Sequence, residues 1–173
     1  MLRRPLFADV APFKRATKGM TVRMTRSDAR EIAVRLCFEL SATAKEPDEI
    51  LERMFNKEYY KTLDTEDELF ASFPNESQKK YIENVIHGIG EHNAELDSYI
   101  EKYAKGWKFE RISRTALAIM KTAMFEILYM PDIPNKVSIN EAVELAKAYE
   151  EPETIPFVNG VLGSFVRGEA VEL

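Results

Sequence analysis

The chain has 173 residues, 45% hydrophobic and 31% charged, with a formal net charge of −5, the balance of one globular domain and not of a disordered chain. Seven glycines and eight prolines are too few for a collagen-like or low-complexity protein, and the single cysteine, Cys37, can form no internal disulfide. No apolar run approaches the ~20 residues that a membrane-spanning helix needs, so the expectation is a cytoplasmic protein with no membrane contact.

Residues 1–23 contain Pro5, Pro12 and Gly19, show no helical period, and read as a flexible basic arm. Met20 and Met24 stand as alternative starts that would shorten it. From Thr25 the pattern turns helical. Thr25 and Asp28 have capping-box spacing, and Ala29, Ile32, Leu36 and Leu40 form an apolar stripe that ends near Ala44. Arg26 and Arg30, four residues apart, are expected together on a flank of that stripe. Pro47 suits the first turn of a second helix, Asp48 to about Lys57, with Ile50, Leu51, Met54 and Phe55 inward. Residues 58–76 are acidic and read as an irregular loop docked through Phe70, Phe73 and Pro74.

A third helix is expected from about Ser77, with Gly88 and Gly90 near its end, and a fourth from about Asn93 to Tyr103. A turn at Gly106 and Trp107 leads to a helix from about Ser113 to Tyr129, apolar on most sides and therefore central. Ser138 and Glu141 suggest a capping box opening a helix to Tyr149, and Thr154 is the expected cap of a last helix through Phe165. With no strand signal, the architecture is all-α, a compact bundle of about seven helices over residues 24–168.

The charge is unevenly distributed. Residues 1–36 hold nine basic against three acidic side chains, a net of +6, while the remainder is net −11. Clustered arginine suits a polyanion, because phosphate accepts its forked donors and bound counterions are released on contact. Catalytic chemistry is hard to assemble. Cys37 has no partnered histidine nearby in sequence, and His87, Glu91, His92 and Glu95 lack the paired Glu-x-x-His pattern of di-metal bundles. Gly88-Ile89-Gly90 lacks the third glycine of a dinucleotide loop and reads as room for close helix packing. The chain is therefore expected not to be an enzyme and to carry no metal or cofactor.

Val137-Ser138-Ile139-Asn140-Glu141-Ala142-Val143-Glu144-Leu145-Ala146-Lys147, followed by Phe157-Val158-Asn159-Gly160-Val161-Leu162, resembles the signature of the NusB family of bacterial transcription antitermination factors. Ala29-Arg30-Glu31 with Ala33-Val34 resembles that family's first helix. Trp107, Arg111-Ile112, and Ala123 with Phe125-Glu126-Ile127 resemble its middle. The resemblance implies two helical subdomains and a non-catalytic adaptor that binds boxA of nascent ribosomal-operon RNA. It does so with NusE, a small-ribosomal-subunit protein, and helps RNA polymerase, with other Nus factors, resist termination. Position by position, it implies RNA binding at Arg23, Arg26, Arg30, Phe38, Tyr103 and Phe157, and partner binding at Glu110, Arg114 and Glu153. Ala116, Leu117, Lys121, Pro156 and Gly163 depart from the family's usual residues. They leave open an alternative, a NusB-like protein–protein interaction module that has lost strong RNA binding.

Overall fold

The computed structural model describes residues 23–169, so the expected arm, apart from Arg23, lies outside the described residues. Seven α-helices follow one another: α1 (Arg26–Ala42), α2 (Pro47–Met54), α3 (Lys57–Asp64), α4 (Glu76–Tyr103), α5 (Arg114–Tyr129), α6 (Asn135–Tyr149) and α7 (Thr154–Gly168). Short 3-10 turns at Glu68–Phe70 and Phe109–Arg111 are the other regular elements, and the described residues contain no strand.

α1 begins as expected. The Thr25 hydroxyl accepts from the Asp28 amide at 3.1 Å, and the Asp28 carboxylate accepts from the Thr25 amide at 2.7 Å, satisfying donors left free at a helix start. Its interior differs from an amphipathic surface helix, because every residue from Asp28 to Val34 is buried, charged ones included. α1 and α5 together form the centre of the bundle: α1 packs on both α4 and α5, and α5 packs in turn on α4, α6 and α7.

The segment 58–76 is more ordered than a loop. Asn56 caps α3 by accepting from the Tyr59 amide at 3.0 Å, and Tyr60 and Leu63, three apart, face the core. Phe70 and Pro74 dock as expected, while Phe73 stays partly exposed with its edge against Tyr60.

The third and fourth expected helices are one element, α4, with a kink at His92 (φ −104°, ψ 17°) in place of a turn. The glycines are sites of close approach and do not break the helix. A Cβ on Gly88 would lie 2.0 Å from the Phe125 ring of α5, and one on Gly90 would lie 2.9 Å from Pro47. α6 starts at Asn135, one turn before the expected cap, so Ser138 is fully buried inside the helix and forms no capping box. α7 is capped at Glu153, with Thr154 its first helical residue. The buried apolar side chains of all seven helices join in one continuous core, with α4 long enough to serve both the α1–α3 side and the α5–α7 side.

Candidate nucleic-acid interface

The bundle's antiparallel packing sets the positions of the implied RNA-binding residues. α6 runs parallel to α1, since Ser27 bonds Glu141 at 3.0 Å and Arg35 bonds the Tyr149 hydroxyl at 2.9 Å. α5 runs antiparallel to α1, with Glu126 beside Arg30 and Arg114 near the C-terminal end of α1. The start of α1 therefore lies at one pole. The α4–α5 connector, the α6–α7 turn and the start of α7 gather at the other, about 25 Å away for a 17-residue helix.

At the first pole, Arg23 and Arg26 are exposed, as phosphate contacts require. Arg30 does not join them. It is 4% exposed, and its Nε and Nη2 donate to the Glu126 carboxylate at 3.0 and 2.7 Å. Nη1 lies 3.4 Å from Glu141, and the guanidinium sits 5.9 Å from the Tyr81 ring centroid. Burial would lower the pKa of this guanidinium, but the Glu126 hydrogen bond and charge hold it above its ordinary value. Burial also pushes the Tyr81 hydroxyl far up, with the Glu126 charge adding to it, and that hydroxyl donates to Glu126 at 3.3 Å. Arg30 thus stands apart from the exposed Arg23 and Arg26. Its fork closes onto the wholly buried Glu126, and withdrawing it would leave that buried carboxylate without its counter-charge, with the Tyr81 hydroxyl as its remaining donor.

Arg35 is held in a similar way. It bonds Tyr149, lies 3.2 Å from Glu31 on its own helix, and reaches Asp67 at 2.8 Å. Deeper along α1, Cys37 is buried, which pushes its thiol up to about 12 and leaves no nucleophile near neutral pH.

The three implied stacking residues divide between packing and surface. Phe38 and Tyr103 are partly buried against the core, and the Tyr103 hydroxyl donates to Glu169 at 3.0 Å while its ring edge meets Phe165. Phe157 is partly buried at the start of α7 with its ring against Trp107, centroids 4.4 Å apart. The implied partner residues Glu110, Arg114 and Glu153 are all exposed. A hydrogen bond from Ser113 to Glu150 ties the start of α5 to the acidic turn that holds Glu153. Arg114 also lines a groove of about 540 Å³ between α1, Pro47, α4 and α5. Within it, the buried Lys121 lies 2.7 Å from Asp97 and donates to Asn93 at 2.8 Å, while Ala116, earlier on the same helix, is fully buried.

Sequence reasoning missed Trp107 as a surface group. The signal was present in the lysines on either side of it and in Gly106, whose φ of +82° fits glycine far better than any other residue. Elsewhere, His92 bonds Glu95 at 2.9 Å and stacks on Tyr129, and His87 lies 3.3 Å from Asp48. No group of three His, Cys, Asp or Glu side chains converges among the described residues.

The comparisons agree with this architecture. The NusB family model matches residues 27–167. The chain is 38% identical over 144 residues to the transcription antitermination protein NusB of Clostridium novyi (strain NT), covering 83% of this chain and 99% of that protein. It is 40% identical over 150 residues to the NusB of Alkaliphilus oremlandii (strain OhILAs), covering 87% and 99%. Among solved structures, T. maritima NusB superposes with a TM-score of 0.68 at 25% identity, covering 84% of this chain and 92% of that one. A matched core of this extent, with α1 to α7 in order, makes the chain a member of the NusB family.

Proposed function

We propose that this chain is a non-catalytic, RNA-binding transcription antitermination factor that, together with NusE, binds boxA of nascent ribosomal-operon RNA and helps RNA polymerase resist termination. The observation that carries this reading is the family match across residues 27–167, with relatives named transcription antitermination protein NusB aligned over nearly their whole length. In this reading Arg23 and Arg26 hold backbone phosphates at one pole, and Phe38, Tyr103 and Phe157 contribute aromatic surface further along. The exposed Glu110, Arg114 and Glu153 surround the end that NusE meets.

A second reading, a protein–protein interaction module with weak RNA affinity, draws support from one observation. Two of the four arginines between residues 23 and 35 are held inside the bundle. Titration of labelled boxA-type RNA with purified protein, with and without NusE at two salt concentrations, separates the two. Salt-sensitive binding strengthened by NusE supports the first reading. Retention of NusE with no RNA affinity under either condition supports the second.

A further inference from the structure

The α4–α5 connector runs against the charge of the body around it. Between residues 102 and 114, Lys102, Lys105, Lys108, Arg111 and Arg114 recur at every third position against Glu110 alone, a net of +4. The rest of the chain beyond residue 36 is net −15. Lys102 is tied to Glu169 at 2.9 Å. The other four cations are exposed and form no ion pair among the described residues.

In the middle of this stretch stands the sole tryptophan of the chain. Gly106, at φ +82°, turns the backbone, and the Trp107 amide closes the turn by donating to the Ala104 carbonyl at 3.2 Å. The indole remains 46% exposed, with its ring inclined 34° to that of Phe157. Phe157 packs on the core beneath, so it is the inner ring and Trp107 the outer one. A flat, half-exposed indole with a fixed backing ring suits the face of an unpaired base. Cations spaced along the adjoining backbone suit the phosphates on either side of that base.

We propose that Trp107, backed by Phe157, is a stacking platform for an unpaired RNA base, with Lys105, Lys108 and Arg111 on the neighbouring phosphates. The inference rests on the RNA-binding reading above and adds to it an outer ring and three cations at the pole, far from Arg23 and Arg26, where that reading already has Tyr103 and Phe157. An acidic peptide is the other polyanion that these cations would suit. The double helix is disfavoured because its bases are already stacked.

With one tryptophan, the emission of the full-length protein reports on this position alone. The probes are an end-labelled single-stranded boxA-type RNA, the same sequence as a duplex, and polyglutamate. Anisotropy of the label reads binding independently of the indole. The expected result is quenching of Trp107 emission by the single strand, and weaker quenching by the duplex. Trp107→Ala should weaken single-strand affinity about 5- to 150-fold, the range of one base–aromatic stack. Trp107→Phe should retain most of the affinity, and Lys105→Ala with Lys108→Ala should flatten the salt dependence by about one unit of slope per cation.

Binding seen by anisotropy, with emission unchanged and Trp107→Ala at parental affinity, would overturn the platform and leave the RNA-binding reading standing. Absence of anisotropy change in the unmodified protein would overturn both. Emission that responds to polyglutamate and not to RNA would overturn the platform in favour of an acidic peptide. The quenching measurement needs no variant, so a folding defect in Trp107→Ala would not protect the proposal.

Discussion

The opening turns of α1 and the connector between α4 and α5 are both rich in cations, yet they use them in opposite ways. In α1, Arg30 and Arg35 turn inward onto Glu126, Glu141, Glu31 and Asp67, where they hold helices together. In the connector, Lys105, Lys108 and Arg111 point to water around an exposed indole. The difference follows from neighbours. α1 is packed against α2, α4 and α5 and bonded to side chains of α6, so a long side chain there must either find a carboxylate or be expelled. The connector is covered by nothing comparable. Counting arginines therefore overstates the polyanion-binding charge at the start of α1, and the net acidity of the body conceals the charge available at its other end.

The largest effect that would sharpen this contrast comes from Arg30→Ala, which strands the wholly buried Glu126 and is expected to cost about 3–5 kcal/mol in denaturant unfolding. Pairing Arg30→Met with Glu126→Leu should recover most of that loss, because it removes both charges. Arg30→Ala at parental stability would break the comparison outright. Arg35→Ala, which removes the cation that Glu31 and Asp67 share, should cost about 1.5–3 kcal/mol by the same assay.

At the exposed end of the same sequence run, Arg23→Ala with Arg26→Ala should change stability by less than about 0.5 kcal/mol. The pair should also lower the salt slope of RNA binding by about two, read by titration at several ionic strengths. A last effect is confined to alkaline pH and concerns Cys37, whose buried thiol is pushed up to about 12 from an ordinary 9.0. The unfolded chain loses this proton first, so the thiol's contribution to stability declines as pH rises from about 9 towards 12, by at most about 1.4 kcal/mol per pH unit. Cys37→Ala should show a shallower decline over that window, measured by denaturation at a series of alkaline pH values.

Much of the fold was legible because apolar spacing reports burial directly. The central position of α5 follows from residues such as Ile119, Met120 and Met124, and the start of α1 from Thr25 and Asp28. What failed to show was whatever depended on a partner distant in sequence. Arg30 looks like a surface residue until Glu126, 96 residues later, is placed beside it. Gly88 reads as room for close packing, yet what fills that room, the Phe125 ring, shows only once α5 is placed beside α4. α3 was hidden because an eight-residue helix has space for only two inward side chains, Tyr60 and Leu63, among acidic neighbours. In the candidate site, the exposure of Arg23 and Arg26 agreed with the sequence pattern, whereas the role of Trp107 depended on the ring of Phe157, fifty residues downstream.

The buried contacts of α1 also bear on how the protein is made. Its partners Glu126, Glu141 and Tyr149 lie 96 to 118 residues further along the chain, so they leave the ribosome long after α1 does. Until α5 has emerged, Arg30 lacks Glu126, and the first helix lacks the neighbours that bury it. A nascent chain halted before residue 126 would display Arg30 loose beside Arg23 and Arg26, three cations in place of two. Synthesis of α5 thus withdraws that third charge from the surface.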